Sequence, residues 1–184
     1  MPLTDRELWL LNFFRNSELH GALLMGRLAR TQFPVELLAN MTRHCATEAN
    51  HAALLTELIA ELGGELDPNL QTMQEHYSHE GGVPTELVDL LVLSEVLEHR
   101  VLEVYGEQLR TPGLHPRIQA VMEEILREEE EHGDGEDCWL EQALRTLPPP
   151  QVKESRRKWS AVDRKVSEDL YLRLNHWFPM EVRS

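Results

Sequence analysis

The sequence predicts an all-α protein: a four-helix bundle with one long crossover, plus a C-terminal amphipathic helix. Three observations carry this reading. Apolar residues recur at three- and four-residue spacing through five long segments. Those segments are bounded by proline, glycine and capping residues. The second and third are joined by about twenty residues rich in Gly, Pro and polar side chains, enough to carry the chain back along a bundle. With 184 residues, 41% of them hydrophobic, the chain supports one sizeable core. The expected division is a bundle over 1–147 and an extension over 148–184 that packs on the bundle or on a partner subunit.

The first helix starts at Thr4-Asp5, where a side-chain oxygen accepts from exposed amides and Glu7 suits the positive end of the helix dipole. It runs to about Thr31, with Leu8, Leu11, Phe14, Glu18, Met25 and Leu28 inward, while Gly21 and Ala22 allow a neighbour to come close. Pro34 opens a second helix through Leu62, stopped by Gly63-Gly64. Its stripe is Leu37, Met41, His44, Glu48, His51, Leu55, Leu58 and Leu62, with polar residues in the middle. The crossover, Gly63 to Val83, holds a short helix around Asn69 to Tyr77. A third helix runs from Pro84-Thr85-Glu86 to Arg110 and presents Leu91, Glu95, Glu98, Leu102, Tyr105 and Leu109. A fourth starts near Pro116 and is expected to continue through Gly133 and Gly135 to Leu147, where Pro148-Pro149-Pro150 ends it. In the tail, Gln151 to Ser184, residues Trp159, Val162, Val166, Leu170, Leu174 and Trp177 form an apolar face opposite Arg156, Arg157, Lys158, Arg164 and Lys165.

The net charge of −14 repels bare phosphate backbones and argues against general nucleic-acid binding. The 2 cysteines, Cys45 and Cys138, have neither zinc-finger nor disulfide-framework spacing. The N-terminus lacks a basic segment followed by a long apolar run, and no stretch approaches roughly 18 uninterrupted apolar residues. A soluble, cytoplasmic protein with no membrane partner is the expectation.

Two segments stand out: Arg127-Glu-Glu-Glu-Glu-His132 and Ala46-Thr-Glu-Ala-Asn-His51. Each contains Glu-x-x-His, which on a helix puts a carboxylate and an imidazole on one face, nearly one turn apart. Glu18, Glu48 with His51, Glu98, and Glu129 with His132 then supply one Glu from each of two helices and Glu-x-x-His from each of the other two. That is the ligand pattern of di-iron and di-manganese carboxylate bundles. Four carboxylates balance two divalent cations, and burying four acids without cations would be costly. These six residues are the candidate metal ligands and, through the metals, the candidate catalytic residues. Glu95 is a candidate extra ligand or hydrogen-bond partner. His44 reads more simply as a core histidine, Tyr105 as a core tyrosine.

The set resembles the ferritin-like di-iron superfamily, to which bacterioferritins and rubrerythrins belong, over roughly residues 5 to 147. Within it, the chain is most similar to the tRNA hydroxylase family that acts on methylthio-isopentenyl adenosine. The matching stretches are Met41-Thr-Arg-His-Cys-Ala-Thr-Glu48-Ala-Asn-His51, Leu87-Val-Asp-Leu-Leu-Val-Leu-Ser-Glu-Val-Leu-Glu98-His-Arg100, and Glu129 to His132. The crossover and the tail after Pro150 carry no such match, and the chain has no four-cysteine module of the rubrerythrin kind.

The resemblance implies an oxidoreductase holding two iron ions, with manganese or a mixed pair served by the same donor types. Its partners would be dioxygen, an organic substrate and an electron donor. A modified tRNA base is one candidate substrate, supported only by the tail's basic stripe. A homodimer is compatible with the pattern. The alternatives are a ferroxidase, iron-handling or peroxide-reducing protein, and a structural bundle with a vestigial site.

Overall fold

The computed structural model describes the backbone of residues 3–133 and 138–177 and the side chains of 3–130 and 138–170. All regular structure among the described residues is helical, in seven helices: α1 (Asp5–Leu28), α2 (Val35–Glu61), α3 (Met73–Gly81), α4 (Leu87–Leu109), α5 (Pro116–Gly133), α6 (Trp139–Arg145) and α7 (Pro149–Trp177). None of them is long and apolar enough to cross a membrane.

Local chemistry sets the helix ends. Thr4 caps α1 in a reciprocal box: its hydroxyl oxygen accepts from Glu7 N–H at 3.2 Å, and Glu7 Oε2 accepts from Thr4 N–H at 2.9 Å. Glu7 Oε1 also accepts from His115 N–H at 2.9 Å, which ties the entry of α5 to the start of α1. Thr72 and Glu75 repeat the box at α3. At the end of α2, Gly63 takes φ +75° while Gly64 N–H donates to Ile59 O and Gly63 N–H to Ala60 O. This is a Schellman stop, and the left-handed residue in it favours glycine.

The crossover is laid along α1 by buried polar side chains. Asn12 Nδ2 donates to Glu65 O, and Asn12 Oδ1 accepts from Asp67 N–H. Asn16 Nδ2 donates to Asp67 O and Leu70 O, and Ser17 Oγ accepts from Met73 N–H. Backbone groups of a long loop are thereby satisfied away from water. α3 begins later than the sequence reading places it, because its Thr72 cap, rather than the apolar spacing, fixes the first turn.

The uninterrupted fourth helix is not observed. α5 ends at Gly133, and Cys138 has extended backbone (φ −55°, ψ 129°) as it caps the separate α6. Two glycines in a run of like charges weaken the helix where the stripe alone would continue it. The buried face still extends into α6 through Trp139, Leu140, Ala143 and Leu144, which pack toward α2 and α4. The triple proline opens α7, with Pro149 as its first residue, a position that needs no N–H.

α7 packs on α3 and α4 of its own chain. Trp159, Val162, Val166 and Leu170 are buried there, with Trp159 so close to Gly81 that a Cβ on the glycine would fall 2.6 Å from the ring. Arg100 of α4 forks onto Asp163 at 3.1 and 2.8 Å, and Tyr77 of α3 donates its hydroxyl to the same carboxylate. Leu174 and Trp177 carry expectations that lie outside the described side chains.

Candidate metal centre

Four helices deliver acids to one buried place. α1 brings Glu18, α2 brings Glu48 and His51, α4 brings Glu98 and α5 brings Glu129. One ligand atom each from His44, Glu48, Glu98 and Glu129 lies within 4.8 Å of the others, and the same holds for Glu18, His51 and Glu129. Glu129 belongs to both groups and is 2% exposed. The His132 side chain lies outside the described residues.

His51 is fully buried. Its Nε2 meets Glu128 Oε2 at 3.1 Å, so Nδ1 faces the carboxylates, 2.8 Å from Glu129 Oε1 and 3.5 Å from Glu18 Oε2. Neither approach of Nδ1 has hydrogen-bond geometry. A ring held through one nitrogen by a carboxylate, with the other nitrogen turned toward further carboxylates, is the usual disposition of a metal-binding histidine. In the metal-free chain a proton can take the cation's place. Burial pulls the His51 pKa down, but Glu129 and Glu18 raise it to about 11.

Glu48 shows the corresponding strain. Burial, then repulsion from Glu18, pushes its pKa well up, against a hydrogen bond from His44 that pulls it down, with Glu129 and Glu98 pushing it up further. A cation shared among these acids would relieve that crowding. The donor set of carboxylates and imidazole suits iron, manganese or zinc, so the residues present fit a metal pair.

His44 is drawn into this group, contrary to its reading as an ordinary core histidine. Its Nε2 lies 3.0 Å from Glu48 Oε1 and 3.2 Å from Glu98 Oε1, while Nδ1 accepts from the indole N–H of Trp139 at 3.1 Å. Burial lowers the pKa of His44, and Glu98 and Glu48 more than offset this, raising it to about 11. Trp139 opposes the second proton, because its N–H needs the Nδ1 lone pair. The i, i+4 spacing from His44 to Glu48 is the signal that finds it.

Tyr105 of α4 is fully buried and donates to Glu18 Oε1 at 2.6 Å. Burial and the Glu18 charge push its pKa well up, so it remains a neutral donor. Tyr105 stands seven residues after Glu98 on the same stripe, which is the sequence signal for its place. Glu95 turns the other way. Its carboxylate takes a two-pronged grip from Arg156 of α7 at 2.8 and 2.6 Å and belongs to neither group of acids. Helical spacing alone allows either orientation, and the charge on α7 decides between them.

A cavity of about 20 Å³ adjoins the acids, room for one water-sized group. Glu18, Glu48, Glu98, Glu129, Tyr105, Ser17, Ser94 and Gln74 line it together with Phe14, Met25, Met73, Leu97 and Val101. Gln74, from the crossover helix, carries no periodic or motif signal toward the site, whereas Trp139, from α6, lies on the same inward stripe as Glu129 and His132. Among the described residues neither Cys45 nor Cys138 is in a disulfide.

Comparison with protein-family models, with characterised proteins and with solved structures finds no match to this chain.

Proposed function

We propose that this chain is a ferritin-like four-helix bundle built from α1, α2, α4 and α5, acting as a non-haem di-iron oxidoreductase. The observation that carries the reading is Glu129, a buried carboxylate shared by two groups of candidate ligands, which suits a bridge between two cations. Glu18 and Glu98 would serve as terminal or bridging ligands, Glu48 and Glu129 as the main bridges, and His51 and His132 as one imidazole for each metal. Two irons held there would supply the electron transfer of an oxygen or peroxide reaction. The chain's own part is to fix the ligands, exclude bulk water and hold protons. Glu128 fixes the His51 ring, Tyr105 holds Glu18, and His44 holds Glu48 and Glu98.

Oxygen-dependent hydroxylation of an organic substrate is the reaction implied by the stretches around Glu48 and Glu98. A modified tRNA base is the substrate implied by the same likeness. On the tail, Arg156, Arg157 and Lys158 are already engaged by Glu95, Glu154 and Asp89, while Lys153, Arg164 and Lys165 are exposed. RNA binding through those three would weaken steeply with salt, and a flat response would dismiss it. A second reading, peroxide reduction or iron oxidation without an organic substrate, is favoured by the cavity, which at about 20 Å³ admits no purine.

The deciding experiment is elemental analysis after anaerobic loading with ferrous iron and removal of the excess. About two irons per chain is the expected result. No retained metal would move a structural bundle with a vestigial site into first place.

A further inference from the structure

The cavity beside the acids has a wall of unusual polarity. With metal bound the carboxylates are ionised and only accept hydrogen bonds, and two of the three hydroxyls on the wall are already used as donors, Tyr105 on Glu18 and Ser94 on Leu90 O, while the Ser17 hydroxyl accepts from Met73 N–H and keeps its own proton to donate. Gln74 adds one more acceptor. The residue is 7% exposed, and its amide nitrogen donates to Ser17 O at 3.0 Å. Since a carbonyl at Ser17 can face only the NH₂ end of the amide, Gln74 Oε1 is fixed as the other end. That oxygen is buried and has no protein partner. Met73 N–H on Ser17 Oγ holds the first turn of α3, so the amide is set on a rigid support.

A pocket whose wall offers more acceptors than donors, with space for one small molecule, favours a ligand that brings its own donors. Hydrogen peroxide carries two O–H groups; dioxygen carries none. We propose that Gln74 is a specificity-determining residue, its carbonyl accepting an O–H of hydrogen peroxide and so favouring peroxide over dioxygen at this centre. The inference rests on the di-metal reading and on its peroxide-reducing form rather than on oxygen-dependent hydroxylation. Each peroxide would take two electrons, one from each of two ferrous ions held there, and two protons, so that its O–O bond breaks and two waters form. Gln74 contributes orientation to that step and no electrons or protons.

The test uses the full chain loaded anaerobically with ferrous iron, with iron per chain measured first. Ferric absorbance is then followed after mixing with equal concentrations of hydrogen peroxide or dioxygen. Wild type is expected to react at least about tenfold faster with peroxide, the scale of one well-made hydrogen bond. In Gln74→Met, which keeps side-chain length, the peroxide rate should fall roughly tenfold, with the dioxygen rate within about twofold and iron per chain unchanged. A readout independent of turnover is calorimetric binding of hydroxylamine, a two-heavy-atom donor of peroxide's size, to the zinc-loaded protein. Binding should weaken roughly tenfold in the same variant. Equal wild-type rates, or an unchanged preference and unchanged hydroxylamine binding in Gln74→Met, would overturn the inference while leaving two irons per chain in place. Failure of wild type to retain iron would instead remove the di-metal reading beneath it. Should the variant fail to fold, wild type decides through tert-butyl hydroperoxide, which keeps the O–H but is too large for the cavity. A rate matching that of hydrogen peroxide would overturn the proposal.

Discussion

Gly21 lies directly against Glu48: a Cβ at Gly21 would fall 2.3 Å from Glu48 Oε2 and 3.0 Å from its carboxyl carbon. The glycine sits inside α1, where alanine would raise helix propensity by about 1 kcal/mol. Gly21→Ala therefore sets a local gain against displacement of one buried carboxylate. The fold should survive, because the atom in the way is the tip of a flexible side chain, while the site should not. The expected outcome is a metal-free melting temperature within a few degrees of wild type and a clear loss of retained metal by elemental analysis. Full retention would show that Glu48 binds from another rotamer.

Glu129 and Glu98 should differ in what they remove. Glu129 belongs to both groups of candidate ligands, Glu98 to one. Glu129→Ala is expected to retain almost no metal, whereas Glu98→Ala should fall from about two ions per chain to about one or fewer. Wild-type metal content in either variant would sink its assignment as a ligand.

What could be read in advance followed from periodicity. Glu18, Glu48, His51, Glu98 and Glu129 share inward stripes with apolar residues, and a stripe is a geometric consequence of helix pitch. The helix starts at Thr4 and Pro116 and the stop at Gly63 were legible because capping is local chemistry. Three features were not legible. Gln74 reaches the cavity only because Asn12, Asn16 and Ser17 fold the crossover onto α1, a set of side chain-to-backbone bonds without a periodic signature. Trp139 lies on the fourth helix's inward stripe, but its bond to His44 across the break before α6 has no signature in that spacing. Glu95 faces outward because Arg156, some sixty residues later, attracts it. Each depends on long-range placement that one helix's pattern does not encode.

Tyr105→Phe isolates the bond to Glu18. Phenylalanine preserves the packing against Phe14, whose ring centroid lies 4.0 Å from that of Tyr105. Only the hydroxyl is lost, leaving Glu18 Oε1 without its 2.6 Å donor in a buried site. The metal-free variant should be destabilised by about 1–3 kcal/mol in urea melts. With metal bound the loss should shrink, since a cation then neutralises Glu18. Equal stability of variant and wild type without metal would mean that the bond has no net value.

The pH dependence of the metal-free protein follows from two buried groups acting in the same direction. His51 holds its proton up to about 11 in the folded chain, against an ordinary 6.5; burial opposes this, and Glu129 and Glu18 outweigh it. A raised histidine gives its full stabilisation below 6.5 and loses it as pH climbs toward 11. Glu48 is raised by burial and by Glu18, so the fold favours its neutral form and loses stability as pH rises beyond the ordinary 4.5. The metal-free chain should therefore melt lower at pH 9 than at pH 6, by about 2–4 °C for each kcal/mol lost. A divalent metal needs the carboxylates ionised and Nδ1 of His51 unprotonated, so its binding should release protons and restore stability most at the higher pH. Thermal melts with and without metal across this range, with proton release followed by a dye in weak buffer, check both halves. A flat metal-free profile with no proton release would show that His51 and Glu48 do not share a proton-filled site.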